Sequence, residues 1–190
     1  MSKNMNMAYL QSNRTKAGDE CYTPFYAVAP LLEFIPKNKR IWCPFDEDWS
    51  AYYQTFAENG YEVVRSSLYE NQNFFNYEPP PDSYDVIISN PPYSMKDKVL
   101  KRLYELGKPF ALLLPVTALQ AKGRFRLFRN GLELLVFDAR IDYHTWGDFE
   151  SPNKGIHFGS MYFCRDFLPE KLIFRELQKY QRALKQGGGA

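Results

Sequence analysis

The chain has 190 residues, of which 45% are hydrophobic and 17% aromatic, enough for one globular domain with a sizeable core. Residues 1–20 are polar, and the longest apolar run, residues 110–116, is too short to cross a bilayer. These features predict a cytoplasmic protein. We expect a single domain over residues 1–190, with a polar N-terminal segment (1–18) and a flexible tail (186–190). The net charge of +2 excludes no class of partner, and three widely spaced cysteines predict neither a disulfide framework nor a metal site.

Followed along the chain, the apolar pattern predicts helices and strands in alternation. The first helix, over residues 24–35, is expected to have Thr23 as its N-cap and Pro24 at its first position, and further helices are predicted at 50–59 and 94–106. Five short apolar or β-branched segments are predicted as strands, at residues 40–45, 61–66, 84–89, 110–115 and 132–137. This alternation predicts an α/β fold with a mostly parallel sheet, which binds ligands at the carboxyl ends of its strands.

Three segments interrupt the alternation. Residues 69–83 contain three consecutive prolines and are predicted as a surface excursion. Residues 141–155 are predicted as a long loop, followed by a strand at 158–164. An amphipathic helix is predicted over residues 170–184.

The most informative motif is Asn90-Pro91-Pro92-Tyr93, which directly follows the predicted strand at 84–89. The two prolines fix the backbone and remove two N–H donors, so that local carbonyls are left to accept hydrogen bonds from a ligand. Such a carbonyl and the Asn90 side-chain oxygen form a pair of acceptors for an NH₂ group, while Tyr93 offers a stacking face. The alternative is a rigid turn without chemistry, which the position at the end of a strand disfavours.

A pair of fixed acceptors suits methyl transfer to an amino group. An aromatic amino group is a weak nucleophile because its lone pair is delocalised into the ring. Hydrogen bonds from both of its N–H groups favour a pyramidal nitrogen, whose lone pair then becomes available to a sulfonium methyl group. In-line positioning supplies the remaining requirement, and neither a metal nor a covalent intermediate is needed.

The motif resembles that of the amino-methyltransferase superfamily, in which a strand ends in Asn/Asp/Ser-Pro-Pro-Tyr/Phe, and in particular the small bacterial and phage-type N6-adenine DNA methyltransferases. The resemblance implies a Rossmann-like fold with a C-terminal antiparallel hairpin, S-adenosylmethionine as the cofactor, and DNA as the partner. It implies that the catalytic residues are Asn90, Pro91, Pro92 and Tyr93. It also implies that the cofactor is contacted by Tyr22, Thr23, Pro24, Cys43, Pro44, Phe45, Asp46, Asn73 and Phe74.

Three features depart from the family pattern. Residues 46–49, after the first strand, contain no glycine. The second strand ends without the acidic residue that takes the ribose hydroxyls in the family, Glu70 being the nearest candidate, and Asn73 replaces a common aspartate. Asp46 and Asp48 are expected to take over these contacts, the alternative being a related fold that has lost its cofactor. Cys43 is expected to be a small core residue at a strand end and not a nucleophile.

Adenine N6 in DNA is the expected acceptor. An adenine in a duplex is reachable only by base flipping, and Tyr93 and Phe158 are expected to stack on the extruded base. Residues 96–129 carry nine basic residues and two acidic ones, and contacts with nucleic acid are predicted for Lys122, Arg124, Arg126 and Arg129. A basic, aromatic groove wall is one interpretation of Arg124, Phe125, Arg126, Phe128 and Arg129. The helical spacing of Phe125 and Phe128 favours the other interpretation, in which both face the core.

Other acceptors remain open. The same motif serves adenine in RNA and the carboxamide of glutamine in proteins. A non-catalytic nucleic-acid-binding module of the same fold is a further alternative. Binding of S-adenosylmethionine separates the enzymes from the module.

Overall fold

The computed structural model describes residues 21–145, 148–153 and 158–184. Its main element is a seven-stranded sheet in the order β2-β1-β3-β4-β8-β5-β9. The strands of this sheet are β1 (Ile41–Cys43), β2 (Val63–Arg65), β3 (Val86–Ser89), β4 (Phe110–Pro115), β5 (Glu133–Phe137), β8 (Ser160–Arg165) and β9 (Leu172–Arg175). The predicted polar segment 1–18 and tail 186–190 lie outside the described residues.

The sheet is mostly parallel, with one reversed strand. Strands β2, β1, β3 and β4 run parallel to one another, and β9 runs parallel to β5. Strand β8 lies antiparallel between β4 and β5, so the β5 and β8 pair is the predicted C-terminal antiparallel element. The predicted α/β, Rossmann-like fold class is confirmed.

Four α-helices accompany the described strands, α1 (Phe25–Val28), α2 (Ala51–Glu58), α3 (Lys96–Leu106) and α4 (Lys122–Phe128). Helix α2 begins directly after Ser50, the first residue of the predicted helix, because the Ser50 hydroxyl caps it by accepting from the Tyr53 N–H at 3.1 Å. Helix α3 ends at Gly107, which takes the left-handed conformation at φ 68°. It begins two residues later than predicted, since Tyr93–Met95 form a 3₁₀ turn first.

The prediction of the first helix is wrong in both the start and the length of the helix, which spans Phe25–Val28. Pro24, in extended conformation, is the cap, and Thr23 lies outside the helix. After Val28 the chain continues as a 3₁₀ helix, Ala29–Glu33. Pro30 has no N–H to donate to the preceding turn, so the α-helical hydrogen bonds cannot continue through it.

Two further predictions are corrected by the structure. Residues 141–155 are not only a loop, because β6 (Tyr143–Thr145) and β7 (Asp148–Asn153) form a small antiparallel sheet. The helix predicted over 170–184 is absent from the described residues, where β9 is followed by chain without regular structure to residue 184. Pairing of β9 with the distant β5 overrides the local helical pattern.

The core lies on both faces of the sheet, because side chains alternate along each buried strand. Ile41 and Cys43 pack on the face that carries α1 and α2, whereas Trp42 packs on the face that carries α3. This three-layer arrangement leaves the carboxyl ends of β1 and β3 side by side. Within the described ranges, no helix has both the length and the apolar content to cross a membrane.

Candidate active site

A cleft opens where β1 and β3 end. Eight of the residues predicted from sequence line it, and they come from three separate segments: Tyr22, Thr23, Phe45, Asp46, Asn90, Pro91, Pro92 and Tyr93. Parallel neighbouring strands end at one edge of the sheet, which brings the loop after β1 next to the loop after β3. The remaining walls include residues that sequence reasoning missed, among them Glu47, Trp49, Tyr52, Ser67, Tyr69 and Leu184.

Other predicted cofactor residues lie behind the cleft wall. Pro24, Cys43 and Pro44 are buried, and burial raises the pKa of the Cys43 thiol well above its ordinary value, which keeps it a protonated core residue. The Asn73 side chain accepts from the Phe75 N–H at 3.0 Å and so holds its own turn. Phe74 is buried against Phe45, with ring centroids 5.0 Å apart, and therefore supports a residue that lines the cleft.

Asn90 is oriented by a bond to the segment that precedes α1. Its Nδ2 group donates to the carbonyl of Cys21 at 2.7 Å. Since a carbonyl only accepts, this bond fixes which end of the amide points away from it. The other end, Oδ1, is buried and accepts no hydrogen bond from the described residues. Asn90 therefore presents a fixed, unused acceptor in the cleft wall.

The two prolines of the motif differ in what their carbonyls do. The Pro92 carbonyl accepts from the Met95 N–H at 3.0 Å and so belongs to the turn that leads into α3. The Pro91 carbonyl accepts no backbone N–H hydrogen bond within the described part of the chain. Of the two carbonyls, Pro91 is thus the one that can form an acceptor pair with Asn90.

Asp46 links the loop after β1 to the end of β3. Its Oδ2 accepts from the Ser89 hydroxyl at 2.5 Å, and Ser89 directly precedes Asn90. Burial raises the pKa of Asp46 to about 7, partly offset by the hydroxyl groups of Ser89 and Ser50. The carboxyl group therefore titrates near neutrality inside the cleft.

Tyr93 contacts two residues that follow β5. Its hydroxyl donates to the Tyr143 hydroxyl at 3.0 Å, and burial raises the Tyr93 pKa well above its ordinary value, so the phenol stays neutral. Its ring meets Phe158 edge to face, at 5.6 Å between centroids and 79° between planes. The two rings predicted to hold a base are adjacent, and in this arrangement they contact each other and do not face one another across a slot.

The glycine-free loop after β1 is held by charges. Arg65, the last residue of β2, pairs with Asp48 and with Glu70 at 2.7 Å. Asp48 is largely exposed and does not line the cleft. Glu47, which sequence reasoning did not single out, lines the cleft instead, and burial raises the pKa of its carboxyl group.

Three aromatic rings meet at one side of the cleft. Tyr22, Trp49 and Phe149 form a triangle, with each pair of ring centroids 5.2 Å apart. Trp49 stands just after the acidic loop, a position that could have marked it as a cleft residue. Phe149 lies on β7, inside the segment predicted as a loop, so no local signal pointed to it.

The predicted nucleic-acid residues separate into two kinds. Lys122, Arg126 and Arg129 are exposed. Arg124 is 7% exposed, pairs with Asp97 and donates to the Ala118 carbonyl at 2.6 Å. The Arg124 guanidinium holds α4 against α3, so Arg124 does not share the exposed surface of the other three.

No cluster of three or more potential metal ligands occurs in the part of the chain that the structure describes. No protein-family model matches the chain, and no curated protein is similar to it in sequence.

Solved structures provide the remaining comparison. A protein described as a modification subunit of a type I restriction enzyme from Vibrio vulnificus YJ016 is 14% identical, with a TM-score of 0.45, over 94% of this chain and 52% of that chain. A protein described as a class I S-adenosylmethionine-dependent methyltransferase from Listeria monocytogenes is also 14% identical, with a TM-score of 0.45, over 93% of this chain and 72% of that chain. The chain thus spans about half the length of the first protein.

Proposed function

We propose that this protein is an S-adenosylmethionine-dependent methyltransferase that methylates adenine N6 in DNA. The observation that carries the proposal is the Asn90 amide, whose nitrogen is fixed by the Cys21 carbonyl while its oxygen stays buried and unbonded among the described residues. A buried acceptor without a partner costs free energy unless a ligand satisfies it. A ligand N–H group in the cleft would do so.

The residues of the cleft fit the cofactor. S-adenosylmethionine supplies, when bound, a methyl group on a positively charged sulfonium. Asp46 and Glu47 place carboxyl groups in the cleft wall, which favour a cationic ligand when they are ionised. Tyr22 and Trp49 provide aromatic surface for an adenine ring. We propose that these carboxylate and aromatic side chains supply the cofactor contacts that a glycine-rich turn supplies in the family.

The acceptor pair determines which group is methylated. Asn90 Oδ1 and the Pro91 carbonyl accept from the two N–H groups of an exocyclic amine, which turns the nitrogen lone pair away from the ring system. As the methyl group arrives, these fixed acceptors stabilise the positive charge that develops on nitrogen. The nitrogen would then release one proton to solvent and become a neutral secondary amine, while the cofactor sulfur would keep the electron pair of the broken C–S bond and leave as a neutral thioether.

The exposed cations favour nucleic acid as the acceptor molecule. Lys122 and Arg126 lie on α4 and Arg129 directly follows it, and the Arg124–Asp97 pair joins this helix to the first turn of α3. Helix α3 in turn follows the catalytic motif directly. In this proposal these cations bind phosphates of the strand, and a base extruded from that strand reaches the acceptor pair.

Two measurements test the proposal together. Calorimetry is expected to show binding of S-adenosylmethionine to the purified protein. Incubation with the tritiated cofactor is expected to label DNA when DNA, RNA and a protein extract are offered in parallel. Because an unpaired base costs less to extrude, single-stranded or mismatched DNA is expected to react at least as fast as a matched duplex.

Each contrary result selects a different function. Label found only in RNA would move the acceptor to RNA adenine, and label found only in protein would move it to a glutamine carboxamide. Absence of cofactor binding at millimolar concentration would contradict the enzymatic proposal and leave a non-catalytic module. Treating the labelled product with deoxyribonuclease, ribonuclease or protease separates the DNA, RNA and protein acceptors, and calorimetry alone identifies the loss of cofactor binding.

A further inference from the structure

Helix α4 has one exposed face with a definite composition. Three residues of α4, Lys122, Phe125 and Arg126, and its C-cap Arg129 follow the spacing i, i+3, i+4 and i+7, which places them along one side of the helix. All four are exposed, Phe125 to 64%. We call these four residues the basic face of α4.

The exposure of Phe125 contradicts the prediction that both phenylalanines of this helix face the core. Phe128 does pack inward, against Phe163 at 5.6 Å between ring centroids. Phe125 instead projects among cations, with Lys122 about one turn before it and Arg129 about one turn after it. A ring flanked by positive charges on an exposed helix face matches what a single nucleic-acid strand offers, namely bases to stack on and phosphates on either side.

The charge of this region is not balanced locally. No acidic residue occurs between Glu105 and Glu133 in the sequence. Asp97, an acidic residue that contacts α4 from α3, pairs with the buried Arg124 and not with the exposed cations. The exposed charge of the basic face is therefore available to a polyanion.

The basic face is also tied to the candidate active site. Arg124 joins α4 to Asp97 in the first turn of α3. At the same end of α3, the Lys96 side chain donates to the Tyr93 carbonyl at 3.0 Å. Packed helices lie about 8–10 Å apart, so α4 is one helix away from the residues that follow the catalytic motif.

We propose that the basic face of α4 binds an unpaired nucleic-acid strand, with Phe125 stacking on a base near the one that enters the cleft. Lys122, Arg126 and Arg129 contact the phosphates that flank the stacked base. This inference rests on the proposed function, which supplies a base in the cleft and hence a strand beside it. It assigns to Phe125 a binding role that none of the neighbouring cations performs.

Fluorescence anisotropy with a labelled single-stranded DNA oligonucleotide tests this assignment. Phe125→Ala is expected to weaken binding roughly 5- to 150-fold, the usual effect of removing one base–aromatic stack. Phe125→Tyr is expected to restore binding, because its ring also stacks. Phe174→Ala is the matched control, since Phe174 is 66% exposed on β9 at the edge of the sheet, and it is expected to bind as the wild type does.

Salt dependence separates stacking from charge. Phe125→Ala is expected to leave the slope of log affinity against log salt unchanged. The triple variant Lys122→Ala, Arg126→Ala, Arg129→Ala is expected to flatten this slope by about 2, because each phosphate that a cation neutralises on a single strand contributes about 0.7 to it.

Measurements of cofactor binding and methyl transfer on the same samples separate this inference from the proposed function. If Phe125→Ala binds the oligonucleotide like the wild type while both proteins methylate it, the stacking role is overturned and the proposed function stands. If the wild-type protein binds no oligonucleotide and label enters only protein, both the nucleic-acid face and the DNA acceptor are overturned. Unchanged unfolding curves of the variants establish that they are folded.

Discussion

The orientation of one side chain determines which atom the candidate active site presents to a ligand. Asn90 is fixed by the Cys21 carbonyl, 69 residues away in sequence. The motif alone predicted an acceptor role for Asn90, but the bond that orients the amide could not be predicted, because it depends on how the segment before α1 crosses the end of β3. The sequence likewise could not show that the Pro92 carbonyl is used by the turn into α3 while the Pro91 carbonyl is left for a ligand, because this difference depends on the fold of that turn.

Asp46 provides a prediction on pH and stability. Burial raises its pKa in the folded state to about 7, whereas an aspartate in the unfolded chain titrates near 4. Between about pH 4 and pH 7 the folded state therefore holds a proton that the unfolded state has lost. This group thus lowers the free energy of unfolding as pH rises through that window, by at most about 1.4 kcal/mol per pH unit, and has no further effect above it.

The Asp46→Asn variant is expected to lose this contribution while it keeps an oxygen that accepts from Ser89. Urea unfolding from pH 4.5 to pH 8 measures the effect, and the variant is expected to gain stability relative to wild type as pH rises. Asp82→Asn, at an exposed position, serves as the control and is expected to show no such trend. A stability difference between Asp46→Asn and wild type that stays constant over this range would contradict the assignment.

At the scale of elements, the local sequence pattern correctly predicted those helix starts and strands that depend on interactions between residues close in sequence. Helix α2 begins at Ser50 because a serine side chain satisfies a free N–H there, and β3 and β4 lie within their predicted apolar runs. The first helix continues as a 3₁₀ helix from Ala29, one residue before Pro30. The predicted helix at 170–184 became β9 because a partner strand from elsewhere in the chain is available, and no local pattern carries that information.

Two glycines in helical surroundings are expected to respond oppositely to alanine. Gly107 ends α3 at φ 68°, and an added Cβ would meet no atom within 4 Å, so the cost comes from the left-handed backbone alone, about 1–2 kcal/mol. Gly123 lies in α4 with equally open surroundings, and alanine there is expected to stabilise by up to about 1 kcal/mol. Denaturant unfolding of both variants measures these shifts, and a destabilised Gly123→Ala would contradict the assignment of α4 as a regular helix.

At the scale of the whole molecule, the cleft results from the order of the strands. Asp46 and Asn90 are far apart in sequence, yet they line one cleft because β1 and β3 are parallel neighbours. The sequence predicted that these residues lie close together, because parallel sheets bind ligands at the carboxyl ends of their strands. It did not predict the insertion of β8 between β4 and β5, or the small β6 and β7 sheet that brings Phe149 to Tyr22 and Trp49, since both depend on contacts between distant segments.

The central claim is that Asn90 presents its oxygen to an adenine amino group during methyl transfer. The most direct test incubates the protein with S-adenosylmethionine and adenine-containing DNA, digests the product to nucleosides, and measures N6-methyladenine by mass spectrometry for wild type and Asn90→Ala. Wild type is expected to form this nucleoside, and Asn90→Ala to form it on the order of a hundredfold more slowly or worse, with cofactor affinity unchanged. Equal rates of formation by the two proteins, or absence of N6-methyladenine with wild type, would contradict the claim.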